Sequence, residues 1–398
     1  MKNKGIILSL VGIVIVSAFI MVLVKKNSKE YIMYDGAMLA LTIDGNSATS
    51  FPTDSNKYHV DIECEGGIGK YQPVRVVDSN GIETDEYEMK FTIEDITKDG
   101  VTCNIDFITI TDENKNDYLL TSEVESKAQT NANGYRYSGK TPNNWVWFNN
   151  EKWRIIGSIP VCLTASCGTS TTNLVKIIRS DSIGSYAYDA STTTTSSLKG
   201  AWGENTLYSL LNTHYYASSK DTMNGQSHAG CYGYYNATYQ PKPNCDYSDI
   251  GILSTSYYGR MVKNVYWNTG ASANSVKAAT AYTNEKSTQT VSGYIGLMSA
   301  SDWGYAADSS YHSTSMSTYT NATKKATETS WIFNNGYEWT SLRYSSSTYY
   351  ALYVDYRGYL SSRSADYGYA VRPVVYLDSS VYVISGSGSE SDPYIIGM

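Results

Sequence analysis

Beyond residue 30 much of the chain alternates apolar and polar positions with a period of two, the pattern of half-buried strands. Between about residues 38 and 110 the runs "MLALTIDG", "YHVDIEC", "VRVVDSNG", "EMKFTIEDI" and "VTCNIDFITI" are short and enriched in Val, Ile, Thr and Phe. Asp-Gly, Ser-Asn-Gly and Lys-Asp-Gly separate them, as turn residues separate paired strands. In "KYHVDIEC" the residues Tyr58, Val60, Ile62 and Cys64 fall on one face. Residues 31–111 are therefore expected to form a small, sandwich-like all-β domain. Residues 112–134 are polar and predict a linker with one helical turn, and a second domain is expected over 135–398.

That second domain opens with "NNWVWFNNEKWRIIGSIP". Trp145, Trp147, Trp153 and Ile155 alternate around Asn149-Asn150, which predicts a hairpin. "NLVKIIRSDSIG" reads as a further strand, and "DASTTTTSSLKG" as an exposed low-complexity loop. The period changes at "WGENTLYSLLNTHYY", where Leu207, Leu210, Leu211 and Tyr215 share one helical face and Asn205 stands at the cap position. "VSGYIGLMSASDWGYA" predicts a buried strand followed by a turn at Ser301-Asp302. Residues 338–377 are dense in Tyr and Ser, yet Trp339, Ala351, Leu352, Val371 and Val375 recur as in an ordered sheet with Gly-centred turns. Along "YYALYVDYRGY" the expected inward residues are Leu352 and Val354, with Tyr353 outward.

The N-terminal stretch breaks the pattern. Ile6 to Val24 are 19 consecutive uncharged residues. As a helix they span about 29 Å, the thickness of a hydrocarbon core. Lys2 and Lys4 precede the run and Lys25, Lys26 and Lys29 follow it, so flanking charge does not orient it. The run is longer than a cleaved signal's apolar core and has no small-residue cleavage site, so residues 1–30 are expected to be an uncleaved transmembrane signal-anchor. A single-pass protein of the cell membrane, with its bulk extracytoplasmic, follows as the expectation.

Composition sharpens the class of partner. Tyr is far in excess, 38 residues against 6 Phe. A Tyr ring buries apolar area while its hydroxyl seeks a polar partner, which suits half-wet surfaces. Net charge is −7 with no basic block, which excludes nucleic acid as the main partner. Six cysteines fall as Cys64 and Cys103, Cys162 and Cys167, Cys231 and Cys245. Six cysteines allow fifteen pairings, and these three local disulfides, formed in an oxidising space, are the expected set. "VCLTASC" has no nearby His, and the four histidines are scattered, so a zinc site is not expected.

Catalytic signatures are missing. The chain has no Gly-rich phosphate loop, no His-Glu-x-x-His and no Gly-x-Ser-x-Gly. His214, His228 and His312 sit in loops or beyond a helix and read as surface histidines. Glu338 and Asp355 suggest paired carboxylates at most, and a salt-bridged role beside Arg343 or Arg357 is preferred. No calcium loop is recognisable. No catalytic residue, metal or cofactor is expected, and the chain is not expected to be an enzyme.

"EWTSL", the alternating "YALYV", a Gly hairpin and "YGYAVRPVVYL", with "WFNNEKWRIIG", "LNTHYY" and "GYIGLMSASDWGYA" earlier, resemble bacterial C-type-lectin-like domains. The pattern is most similar to the major paralogous domain of bacterial membrane-anchored surface proteins. It is also similar to the folds of formylglycine-generating enzymes and of retroelement-diversified receptor-binding proteins. The resemblance covers Trp145 to Ile396 and implies an α+β domain. It makes Trp339, Gly358, Gly368, Val371 and Arg372 framework, with Trp339 under the sheet and Arg372 holding the terminal strand through a buried or half-buried polar contact. The late cysteines of the related oxidases are missing from 246–398, and so are the Glu-Pro-Asn and Trp-Asn-Asp motifs of calcium-dependent lectins. The expected function is adhesin- or receptor-like binding of a glycan or protein through a Tyr/Ser-rich face, with Tyr344, Tyr349, Tyr353, Tyr359 and Tyr367 as contact residues. A structural envelope or appendage subunit is the alternative, and an envelope enzyme the remoter one.

Overall fold

The computed structural model describes residues 23–26, 29–97, 99–131, 133–165, 167–191, 195–221, 232–235, 238–241, 245–318 and 329–398. Contacts divide the chain into two units: one through Tyr118 together with Tyr382–Ser387 and Tyr394–Gly397, the other made of Leu119–Val381, Gly388–Pro393 and Met398.

In the first unit the alternating runs become strands β1 (Leu23–Lys26), β2 (Lys29–Tyr34), β3 (Ala37–Ile43), β4 (Asn46–Ala48), β5 (Tyr58–Glu65), β6 (Ile68–Val77), β7 (Glu83–Glu94) and β8 (Thr102–Thr109). A sheet runs β1-β2-β3-β8-β5, with β4 on β3, and β6 and β7 form a separate ribbon. Only β3 and β8 are parallel within it. Leu39, Leu41, Val60, Ile105 and Phe107 are buried, as the period of two requires. Phe51 joins this core, its ring 6.1 Å from both Tyr71 and Phe91 and 6.0 Å from Phe107. Cys64 and Cys103 are opposed in register on β5 and β8 and are disulfide-bonded. The final hairpin, Tyr382–Ser385 with Tyr394–Gly397, belongs to this unit, where the Ser385 hydroxyl donates to the Tyr71 carbonyl at 2.7 Å.

The expected transmembrane helix is corrected. Among the described residues no helix is long and apolar enough to cross a membrane. Leu23 and Val24, the end of the apolar run, lie in β1, opposite Ile32 and Tyr31 of β2. An apolar run dictates that side chains leave water, not which backbone ladder satisfies the peptide groups, and here a strand partner does so. Ile6 and the rest of the run to Val22 lie outside the described residues. The single-pass membrane localisation that rested on this helix is not supported.

The second unit begins with helix α1 (Leu120–Lys127), two turns where one was expected, followed by β9 (Gln129–Asn131) and β10 (Gly134–Arg136). The hairpin around Asn149-Asn150 forms between β11 (Trp145–Phe148) and β12 (Glu151–Val161). Both asparagines take φ near +60°, at 56° and 59°, the left-handed turn that Asn tolerates best after Gly. β13 (Thr172–Arg179) and β14 (Ser185–Ala187) follow. Helix α2 (Thr206–Leu210) continues as a π-helical turn, Leu211–Tyr215. Asn205 caps it, its side-chain oxygen accepting from the Tyr208 amide at 2.8 Å, and Leu207, Leu210, Leu211 and Tyr215 are all buried. The short pair β15 (Tyr232–Tyr235) and β16 (Thr238–Pro241) precedes helix α3 (Tyr257–Met261), β17 (Val265–Trp267), helix α4 (Ala278–Glu285), β18 (Val291–Gly293) and β19 (Ile295–Gly296). Ser301-Asp302 is not a turn but the first part of helix α5 (Ala300–Ala306). Ser299 and Asp302 close a reciprocal capping box there, a start signal hidden inside an apolar run.

The Tyr/Ser stretch supplies β20 (Glu338–Arg343), β21 (Tyr350–Val354), β22 (Leu360–Ser364), β23 (Gly368–Ala370) and β24 (Val374–Tyr376). Two sheets result: β19-β24-β13-β12-β11, and β14-β23-β20-β21-β22. Strands make up 40% of the structure and helices 17%. The structure is thus mostly β, and the expected α+β class fits it only in part. Cys162 and Cys167 are disulfide-bonded, Cys245 is also in a disulfide, and Cys231 lies outside the described residues.

Candidate functional site

On β21, Leu352 and Val354 point into the core, at 0% and 2% exposure. Ala351 and Tyr353 take the opposite face. Tyr353 was expected to stand outward; it is instead 9% exposed, covered by other rings. Trp339 of β20 is its register partner, with ring centroids 6.0 Å apart. Tyr369 of β23 lies 4.6 Å from Tyr353 and 4.7 Å from Trp339. Tyr337, just before β20, stacks on Tyr369 at 5.1 Å and 15°. Tyr356 meets Tyr337 edge-on at 5.5 Å, and Tyr367 lies 6.3 Å from Tyr369. The six rings form two tiers: Trp339 and Tyr353 buried below, Tyr337 and Tyr356 standing 42% and 55% exposed above, Tyr367 and Tyr369 between.

Two guanidiniums flank the rings. In the β21–β22 turn the buried Asp355 carboxylate accepts from the Arg357 and Tyr359 amides, each at 2.9 Å, and from Arg357 Nε and a terminal nitrogen at 3.0 and 2.7 Å. That clamp holds Arg357 over the Tyr359 ring at 4.8 Å and the Tyr356 ring at 5.4 Å. Gly358 completes the turn at φ 87°, a conformation open to glycine at least cost. On β22, Arg363 lies 4.1 Å from the centre of the Tyr367 ring and donates to the Tyr367 hydroxyl at 2.6 Å. Burial, then the neighbouring Tyr353, holds the Tyr369 hydroxyl well above the usual phenol range. Arg357 and Arg363 are the positive charges beside the rings.

Of the contact tyrosines expected from sequence, Tyr353 and Tyr367 join this cluster and Tyr359 borders it through Arg357. Tyr344 and Tyr349 do not. Both lie in the β20–β21 turn, where the Tyr344 amide donates to the Tyr350 carbonyl at 2.9 Å and Tyr349 pairs with Tyr350 at 5.0 Å. Tyr337 was missed, though it sits two residues before Trp339 and hence on its face. Arg363 was missed because its partner is a strand-end tyrosine. Among the framework residues, Trp339 is 1% exposed and its indole donates to the Tyr186 carbonyl at 2.9 Å. Gly368 opposes Ala187 on β14, and Val371 is buried. Arg372 is buried and makes a two-pronged ion pair with Glu338 at 2.8 and 2.9 Å, so the partner of Glu338 is neither Arg343 nor Arg357.

Two other groupings carry less chemistry. Ser219 Oγ lies 3.0 Å from His214 Nδ1, but Asp221 stands 3.7 Å from Nε2, beyond the hydrogen-bond length by which a triad's carboxylate fixes the ring. Lys176, Arg136, Asp302 and Glu285 surround a buried cavity of about 10 Å³, room for about one water and no substrate. Burial, then the Asp302 charge, pushes the Glu285 carboxyl up to about 7. Lys176 bonds Asp302 at 2.5 Å and is roofed by the Trp267 and Tyr376 rings. Among the described residues no cluster of His, Cys, Asp and Glu has the grouping that holds a metal ion. No protein-family model, curated protein or solved structure matches this chain.

Proposed function

We propose that this protein is a binding module whose lectin-like second unit recognises a glycan through the ring face of Tyr337, Tyr356, Tyr367 and Tyr369. The observation that carries the reading is the tiering. Exposed Tyr337 stacks on Tyr369, exposed Tyr356 packs edge-on against Tyr337, and Arg357 and Arg363 flank the cluster. Preorganised phenols lose little freedom on binding and offer flat faces to sugar C–H groups, with hydroxyls and guanidiniums for the sugar oxygens. The disulfides suit an oxidising compartment, where surface glycans are found.

The test is a glycan array probed with the full chain, followed by titration of any hit. Tyr356→Ala and Tyr337→Ala are each expected to weaken binding about tenfold or more, a loss of about 1.4 kcal/mol. Unchanged binding in both variants, or no hit on the array, would sink the reading. A structural-subunit reading draws on a different observation, the β6–β7 ribbon, where Val77 is 52% and the neighbouring Ile82 63% exposed. Self-association in sedimentation that Ile82→Ser abolishes would favour it.

A further inference from the structure

A second recess lies in the second unit, away from the ring face. Its volume is about 410 Å³, within the usual range for a small-molecule site. Its walls come from three places: residues 196–204, the segments flanking β17 and β18, and the β20–β21 turn. None of the rings of the proposed face lines it.

The walls are tied together by buried polar bonds. Asp189, 0% exposed, accepts from the Lys199 amide at 2.6 Å, the Ser191 hydroxyl at 2.8 Å and the Thr206 amide at 3.3 Å, which holds the loop in shape. The Gly200 amide donates to the Thr348 carbonyl at 2.9 Å, and a Cβ on Gly200 would stand only 2.5 Å from the Tyr350 carbonyl oxygen. Only glycine lets the loop approach the hairpin this closely. The Ser272 amide donates to the Arg343 carbonyl at 3.1 Å and joins the third wall. This recess is built, not a gap between loose loops.

Its lining points to one chemistry. Lys199 and Arg343 bring two positive charges against the single Glu204, in a chain whose net charge is −7. Neither cation forms an ion pair among the described residues, and Arg343 spends one donor on the Ser347 carbonyl at 3.3 Å. The hydroxyls of Thr288, Thr290 and Thr348 have no protein partner among the described residues and line the same space. Trp202 forms part of the wall, and its buried indole nitrogen has no partner among the described residues. Several free hydroxyls suit a polyol, and a surplus guanidinium with an ammonium suits a carboxylate.

We propose that this recess binds an acidic saccharide unit, a sugar bearing one carboxylate, with Arg343 and Lys199 on the carboxylate and the threonine hydroxyls on the ring oxygens. The proposal does not depend on the ring face. The test is calorimetric or NMR titration of the full chain with glucuronate, glucose and inorganic phosphate. Glucuronate is expected to bind at least about tenfold more tightly than glucose. Arg343→Gln and the exposed Lys199→Gln are each expected to weaken glucuronate about tenfold. Thr290→Trp, which fills the recess, is expected to abolish it. Thermal melting reports whether each variant folds, and Lys199→Gln carries the test if Arg343→Gln does not. Equal affinity for glucose and glucuronate, binding of phosphate alone, no binding, or full affinity in Thr290→Trp would each overturn the proposal.

Discussion

Glu285 and Asp302 share one buried cluster, yet their carboxyls shift in opposite directions. Burial dominates at Glu285 and raises it from 4.5 to about 7. Burial also opposes the charge on Asp302, but the Lys176 and Arg136 charges outweigh it and hold that carboxyl below its ordinary value. A carboxyl raised in the folded state favours folding most fully at low pH and loses that contribution as pH climbs through its folded value. For Glu285 the loss falls between 4.5 and about 7 and amounts to about 3 kcal/mol. Asp302 acts in the opposite sense, its contribution present above the ordinary Asp value and lost on acidification. Glu285→Gln is therefore expected to flatten the decline in stability between about pH 5 and pH 8, read by urea unfolding at both. An undiminished decline would disprove the assignment. Arg372 tests the other buried pair: Arg372→Met leaves the Glu338 carboxylate without its partner and is expected to cost about 3–5 kcal/mol in the same assay.

At the scale of elements, the turns decide what the strands display. The β21–β22 turn holds Arg357 beside Tyr356 only because Asp355 takes four donors and Gly358 adopts φ 87°. Gly358→Ala is expected to cost about 1–2 kcal/mol by thermal unfolding, the cost of forcing a Cβ into the left-handed region. It should also weaken any ligand of the ring face, because the turn carries both Tyr356 and Arg357. A melting temperature equal to that of the parent would show that the turn relaxes freely. The hairpin at Asn149-Asn150 and the cap at Asn205 were readable because the residue type alone signals the local backbone. Helix α5 was not: its cap, Ser299, stands within an apolar stretch, where the Ser299/Asp302 capping box passed for a turn.

For the whole molecule, covalent closure matters most in the first unit. Cys64 and Cys103 close a loop with a sequence separation of 39, which corresponds to about 4 kcal/mol of unfolded-state entropy at room temperature. Reduction is expected to lower the stability of that unit by this order. Limited proteolysis in dithiothreitol should then cut within 60–110 first, and equal resistance with and without reductant would refute the expectation.

Many of the strands were legible from the period of two, as in Tyr58, Val60, Ile62 and Cys64, because alternation is a local property of an extended backbone. The pairing of Cys64 with Cys103 was legible because both lie on strands of the same segment. Leu23 and Val24 were expected in a helix and lie in a strand, since apolarity alone does not distinguish the two. Tyr353 was misplaced for a related reason. Alternation separates two faces, but only the tertiary fold decides whether Tyr337 and Tyr369 cover the second. The sequence by itself therefore determined the strands, their turns and the abundance of rings. Tertiary structure alone decided which rings meet water and which charges meet each other, because those neighbours come from strands, turns and loops far apart along the chain.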